Sequence, residues 1–480
     1  ASLKALVVDE CGNVLAQASR AYSFKSPHPG WAEQDGEDWY RALAEAVREA
    51  LSRIEGGAVK ALALSGQMHG AALLDKNHTL LRPVILHCDT RSAAQVSKLS
   101  AFFAENKLEN SQYNPVYTGF LLPSLLWARE YEAEIFRQTC AVCLPKDYIN
   151  LRLTGELASD FSDASGTLAF DVPEFRWTEL DALSLPAALF PACYAAAGIT
   201  GRITKQAAAD TGLAEGTPVA AGGADQVMQA IGNGAVRPGQ ATVNIGSSGQ
   251  VCFQSAQAEK GADAALNTFC GFRRNAWITM GATMSAGLAV SWFSKNIAGL
   301  DYRALDALAS SAAPGAGGVL FLPYLNGERT PHLRPDLRAA FLGAGFETGK
   351  AEFARAALEG VAFSLRECME LCAKRGLHAE EYIASGGGAQ SELWLSIQAD
   401  VYGAPLKVAE CGEQAAMGAA VTAAAAAGLY SGIEEASEAM VRYRKERWMP
   451  DAGRSEIYNE CYLRYAEASE LVGGKLWKTR

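Results

Sequence analysis

At 480 residues the chain exceeds one ordinary core, and the usual domain length of roughly 100–200 residues predicts two or three domains, so a two-lobed molecule with a cleft is expected. Its 49% hydrophobic and 20% charged residues exclude a disordered or membrane-embedded chain. A formal net charge of −10 without a long Lys/Arg run excludes the basic surface that nucleic-acid binding needs.

The chain opens with LKALVVDECGNVLAQAS, where an apolar run, a turn over Glu10 to Asn13 and an alternating run predict a hairpin. A helix follows from near Asp38, with Tyr40, Leu43, Ala46 and Val47 at helical spacing. VKALALSGQMHG then returns as a strand with a polar tip. Cys140 and Cys143 in CAVC have metal or redox spacing, but with no second CxxC and no nearby histidine they are read as buried strand cysteines. The eleven cysteines, an odd number scattered from Cys11 to Cys461, predict a reduced, cytoplasmic protein.

Strands and helices alternate to about residue 215, and a second pattern of the same kind starts near Thr217. It contains strand-like Gln240–Ile245, Gln250–Phe253, Trp277–Met280 and Glu381–Ala384, and helices over Ala354–Cys372 and Ser391–Tyr402. This predicts an α/β protein of two lobes, 1–215 and 216–480, with a hinge or cleft between them because no low-complexity linker intervenes. The uncharged run Gln414–Tyr430 is rich in alanine and falls short of the ~20 strongly apolar residues of a membrane span. It reads as a tightly packed interior helix.

Several segments could carry chemistry. In TPVAAGGADQVMQAIGNG, Val219–Ala221 reads as a strand, Gly222 and Gly223 as a turn and Val227–Ile231 as a helix, so Asp225 stands at a strand-to-helix corner. An aspartate there is either a helix N-cap or a carboxylate with room for a ligand beside it. NIGSSGQ, with Gly246, Ser247 and Ser248, has the composition of a phosphate-cradling tip, or of an ordinary turn. ASGGGAQSELW, with Gly386, Gly387, Gly388 and Ser391, follows a strand and opens a helix, which could present amides to a nucleotide. His69 lies just past one strand and Asp89 and Arg91 at the end of another, positions that often line a crevice in α/β folds. FLPYLNGERTPH reads as a rigid bracing loop.

GWAEQDGEDWY, GQMHGAALLD, LPKDYINLRLTGELASDFSDASGTLAFDV, AAGGADQ, FLPYLNGERTPH and ASGGGAQSELW, in this order along nearly the whole chain, resemble the FGGY carbohydrate kinases, most closely their xylulokinase branch. The resemblance implies a two-lobed actin-like ATPase (ribonuclease H-like) fold with sugar and ATP meeting in a central cleft. It implies Mg²⁺-assisted, ATP-dependent phosphorylation of a ketopentose, D-xylulose to D-xylulose 5-phosphate, with another ketose or polyol, or a non-catalytic sugar or nucleotide sensor, as alternatives. The implied partners are small molecules, with neither nucleic acid nor membrane; a homodimer stays open.

Residue by residue, the resemblance carries the catalytic base onto Asp225, the sugar-contacting pair onto Met68 and His69, and a polar sugar partner onto Gln226. It carries a phosphate loop onto Gly246–Gly249 and the adenosine segment onto Gly386–Gly388 with Ser391; no metal ligand is assigned. The family opens with a strand and a D-x-G-T loop followed by S-x-K; Ser2 and Lys4 resemble the end of that motif, and the loop is expected upstream of Ala1. Three positions depart from the family pattern: His87 stands where Trp is frequent, Ser124 where Lys is common, and Asn267 where xylulokinases often have His.

Overall fold

The computed structural model describes residues 2–54, 58–108, 113–258 and 265–475; Ala1 lies outside them. The predicted hairpin is present as β1 (Ser2–Val8) and β2 (Val14–Ala21), antiparallel. Its turn is closed by the Asp9 carboxylate, which accepts the Cys11 and Asn13 N–H groups at 2.9 and 2.8 Å. Helix α1 (Gly36–Ser52) buries Trp39, Leu43, Ala46 and Ala50. It starts before Asp38 because the Asp35 side chain accepts the Glu37 N–H and caps it.

Strand β3 (Leu62–Gly66), helix α2 (Pro145–Thr154), strand β4 (Ala158–Asp160) and the short helix α3 (Phe161–Ser165) build the floor of the N-terminal half. Strands β5 (Ile199–Arg202) and β6 (Pro218–Ala224) join β3 in a three-stranded sheet of order β5–β6–β3. Helix α4 (Asp225–Gly232) leaves β6 without an intervening loop.

The second half is organised on a six-stranded sheet. Its members are β7 (Ala241–Ile245), β8 (Gly249–Ser255), β9 (Asn267–Cys270), β10 (Trp277–Thr283), β11 (Tyr382–Gly386) and β12 (Leu406–Val408). The order is β9–β10–β8–β7–β11–β12. All four strands predicted in this half lie in it. The long helix α5 (Lys350–Lys374) covers one face and buries Leu358, Val361, Phe363, Leu365 and Cys368. Helix α6 (Glu392–Tyr402) follows β11, and both correspond to helices read from periodicity.

The alanine-rich run forms α7 (Gln414–Ala426), with Met417, Gly418, Val421 and Thr422 buried. It crosses α4 at backbone contact: a Cβ on Gly418 would lie 1.8 Å from the Met228 carbonyl oxygen, and one on Gly232 the same distance from that of Gln414. Small residues are therefore a packing requirement, since larger ones would push apart the helix that carries Asp225. Cys143 is buried in a strand as expected, whereas Cys140 is exposed just before that strand; it lacks the packing that the apolar reading supposed. No helix among the described residues is long and apolar enough to cross a membrane.

Replacing Gly418 by Ala should destabilise the protein: the helix-propensity gain of about 1 kcal/mol is set against about 1–3 kcal/mol of overpacking at a contact where only backbone can yield. A higher urea midpoint for G418A than for wild type would contradict the backbone-contact reading.

Candidate active site

β3 and β6 are parallel neighbours with Ala224 opposite Gly66. The chain therefore leaves both strands side by side, one delivering Gln67, Met68 and His69, the other Asp225 and Gln226. Crevices at the carboxyl ends of parallel strands are where open α/β sheets bind ligands.

Asp225 is the first residue of α4, and the N-cap is Ala224, which has no capping side chain. Its carboxylate is thus not an N-cap. It is half-buried, and its pKa is pushed up to about 6, chiefly by burial, with the Gln226 backbone and side chain acting in the opposite direction.

His69 has a left-handed backbone, φ 73°. Its ring stacks on Phe120, centroids 3.8 Å apart and planes 10° from parallel, and Nδ1 lies 2.6 Å from the Gly166 carbonyl oxygen. Burial pushes its pKa down to about 3, so the ring is neutral, Nδ1–H donates to Gly166 and Nε2 keeps its lone pair as an acceptor. Met68 is buried in an apolar cluster with Ala224, Val227, Met228 and Phe269, which joins the two halves behind the crevice. Sequence reasoning missed Gln67. Its Nε2 and the Oε1 of Gln226 are buried without protein partners, a free donor and a free acceptor on the two strand exits.

Asp89 departs from expectation as a substrate-binding residue. It is 1% exposed, and its oxygens accept Ala32 N–H at 2.6 Å, Arg91 Nε at 2.9 Å and Arg91 Nη2 at 2.7 Å. Arg91 in turn lies over the Trp31 ring at 3.7 Å. The pair is a buried brace, with no oxygen left for a sugar. Asn267, another expected determinant, is likewise engaged, donating through Nδ2 to Asn114 Oδ1 at 3.1 Å.

The GERTP loop is braced as anticipated. Glu328 Oε1 accepts the Arg329 N–H at 2.8 Å, and Thr330 Oγ1 donates to the Ala265 carbonyl at 2.6 Å. Arg329 itself is exposed, and its charge acts on the opposite half: it adds to the burial that lowers the His69 and His87 pKa values and opposes the burial that raises that of Tyr117. The loop thus contributes a cation toward the crevice as well as rigidity.

The two glycine-rich corners meet through a second parallel register, β7 on β11, in which Ile245 lies opposite Gly386. Ser247 is exposed at the tip of the first corner, and Ser248 Oγ accepts Gln250 Nε2 at 2.8 Å. Gly386 has φ 75°, and Gly387 and Gly388 form a single tight turn. An added Cβ on Gly246 or Gly387 would meet nothing nearer than 3.7 or 3.6 Å, so backbone is open to a ligand there. Ser391 differs from the other members of this group: its Oγ accepts the Trp394 N–H at 3.1 Å and caps α6.

Beneath the corner of Asp225 lies a charge cluster that sequence reasoning did not single out. Lys146 Nζ pairs with Asp147 at 2.7 Å and Asp160 at 3.2 Å. Burial alone would lower the Lys146 pKa, but the carboxylates of Asp147, Asp160 and Asp163 outweigh it and hold the ammonium charged. Asp163 is 0% exposed, neither of its oxygens has a hydrogen-bond partner among the described residues, and burial pushes its pKa far above the usual carboxylate range.

Residues 1–232 match the N-terminal domain, and residues 241–427 the C-terminal domain, of the FGGY family of carbohydrate kinases. The xylulose kinase of Escherichia coli (strain K12) is 37% identical over 95% of this chain and 94% of that protein. That of Bacillus subtilis (strain 168) is 34% identical over 97% and 94%. The solved xyloylose kinase from Brucella ovis superposes with a TM-score of 0.91 at 34% identity, covering 98% of this chain and 97% of the other. The xylulose kinase from Rhodospirillum rubrum does so with 0.91 at 29% identity, covering 98% and 96%. The chain belongs to the FGGY family of carbohydrate kinases and has its two-domain, actin-like ATPase fold.

Proposed function

We propose that the protein phosphorylates a ketopentose with ATP, converting D-xylulose to D-xylulose 5-phosphate, and that Asp225 is the general base. One observation carries the chemical part: the Ala224–Gly66 rung gathers a carboxylate titrating near about 6, a free amide donor and acceptor, and a neutral imidazole around one crevice. The similarity to xylulose kinases supports the choice of sugar.

In this reading, sugar hydroxyls donate to His69 Nε2 and Gln226 Oε1 and accept from Gln67 Nε2, which orients the reacting hydroxyl toward Asp225. Phosphoryl transfer through a loose transition state asks mainly for alignment, and the carboxylate takes the proton late, as the new O–P bond forms. A neutral His69 suits this role, because a second cation there would compete for the carboxylate. The nucleotide phosphates lie against the open backbone of Gly246–Ser248 and Gly386–Gly388. Mg²⁺ supplies neutralisation of the phosphate charge. Among the described residues no cluster of three His, Cys, Asp or Glu side chains could hold a metal. Closure of the lobes excludes water, which would otherwise accept the phosphoryl group. The free cysteines suit a reducing, cytoplasmic setting.

His87 favours a second reading, a kinase for a related ketose or polyol, since it puts a polar ring at the crevice where many relatives have Trp. A coupled ADP-release assay on D-xylulose, D- and L-ribulose, L-xylulose and glycerol separates the two. D-xylulose should give the highest kcat/KM, and a better rate with another sugar would transfer the assignment. Asp225→Asn should bind ATP normally and lose at least about 100-fold in kcat; turnover near wild type would remove the base from the proposal. Gln67→Leu should raise the sugar KM about tenfold, as expected for a lost hydrogen bond of roughly 1.4 kcal/mol, with the ATP KM unchanged. An unchanged sugar KM would remove Gln67 from the binding set.

A further inference from the structure

α3 is one short turn of helix, yet it holds the corner that carries the base. Ser162 Oγ accepts the N–H of Ala224, the residue before Asp225, at 3.0 Å. The same hydroxyl donates to Asp160 Oδ2, which also accepts the Ser162 N–H at 2.7 Å. The other Asp160 oxygen is paired with Lys146, and Lys146 with Asp147. Lys146 is 3% exposed, and Asp147, Asp160 and Ser162 are 0%. On β6, a Cβ at Gly223 would lie 2.9 Å from Ser162 Oγ, so the strand reaches this hydroxyl only because that position is glycine.

Charges buried this deeply contribute little net stability compared with well-packed apolar residues. They do hold one geometry, since the Lys146–Asp160 ion pair and the hydrogen bonds between Asp160 Oδ2 and Ser162 and between Ser162 and Ala224 follow one another in series. That chain ends on the backbone N–H of Ala224, one residue before the carboxylate, where small displacements cost most in an in-line transfer.

We infer that Ser162, oriented by the Lys146–Asp160 ion pair, is a positioning residue for phosphoryl transfer, fixing the backbone at Ala224, one residue before Asp225, so that the Asp225 carboxylate meets the acceptor hydroxyl. This rests on Asp225 being the base. The hydroxyl touches neither sugar nor nucleotide, so its loss acts on kcat and leaves binding alone.

The test compares S162A, S162T, D225N and S162A/D225N in steady-state assays with D-xylulose and Mg·ATP, with thermal melts in parallel. S162A should lose about 10- to 100-fold in kcat while both KM values stay within about threefold, as a misplacement approaching 1 Å predicts. S162T keeps the acceptor oxygen and should stay within about threefold of wild type. In the D225N background S162A should cost nothing further, because no base is left to align. S162C has nearly the size of serine without its strong acceptor, and it reports the same loss should S162A not accumulate as folded protein. Wild-type kcat in S162A with only a lowered melting temperature, or an equal loss in the D225N background, would overturn the inference. Wild-type turnover in D225N would overturn the reading of the base instead.

Discussion

Ala224 lies opposite Gly66 on two parallel strands, and this rung decides which side chains can meet. Side chains alternate along a strand, so a slip of one residue would send Asp225 and Gln67 to opposite faces. The register is defended by an irregularity between Ala220 and Gly223, where Gly222 adopts φ 67° and a Cβ would sit 1.9 Å from the Leu64 carbonyl oxygen. The second sheet repeats the device: Ile245 beside Gly386 brings two glycine-rich corners to one edge. Each half thus contributes one crevice built from the ends of two parallel strands.

Burial does most of the electrostatic work. It keeps His69 neutral and raises the pKa of both Asp163 and Asp225. The exception is Lys146, whose three carboxylate neighbours overcome the cost of burial. Lys146 balances Asp147 and Asp160 only in part, and the raised pKa of Asp163 disfavours a further negative charge there.

Much of the architecture was legible in the sequence because it is periodic. The hairpin from Ser2 to Ala21, the strands of the second sheet and the helices after Lys350 and Ser391 all follow from apolar spacing and turn residues. Asp225 and His69 were legible as residues at strand ends, and the motif order attached roles to them. What escaped depends on contacts between distant positions. Lys146, Asp160 and Ser162 read as ordinary polar residues of a helix and a turn, and nothing local says that they are buried or that Ser162 meets a peptide 62 residues away. Asp89 was misread for the mirror-image reason: its strand-end position was visible, while the Arg91 and Ala32 groups that saturate it were not. Gln67 was overshadowed by its neighbours, and only the structure reveals an amide nitrogen without a partner.

The central claim is that Asp225 acts as a base from an environment that raises its pKa. The dependence of kcat/KM for D-xylulose on pH, with Mg·ATP saturating, tests it most directly, because this quantity reports essential groups before the sugar binds. The active form is the carboxylate, so the rate should be level above pH 7 and fall about tenfold per pH unit below a midpoint near about 6. His69, pushed down to about 3, stays neutral across that range and adds no limb. A profile flat down to pH 5 would contradict the account, since a base titrating near 6 would by then be about nine-tenths protonated.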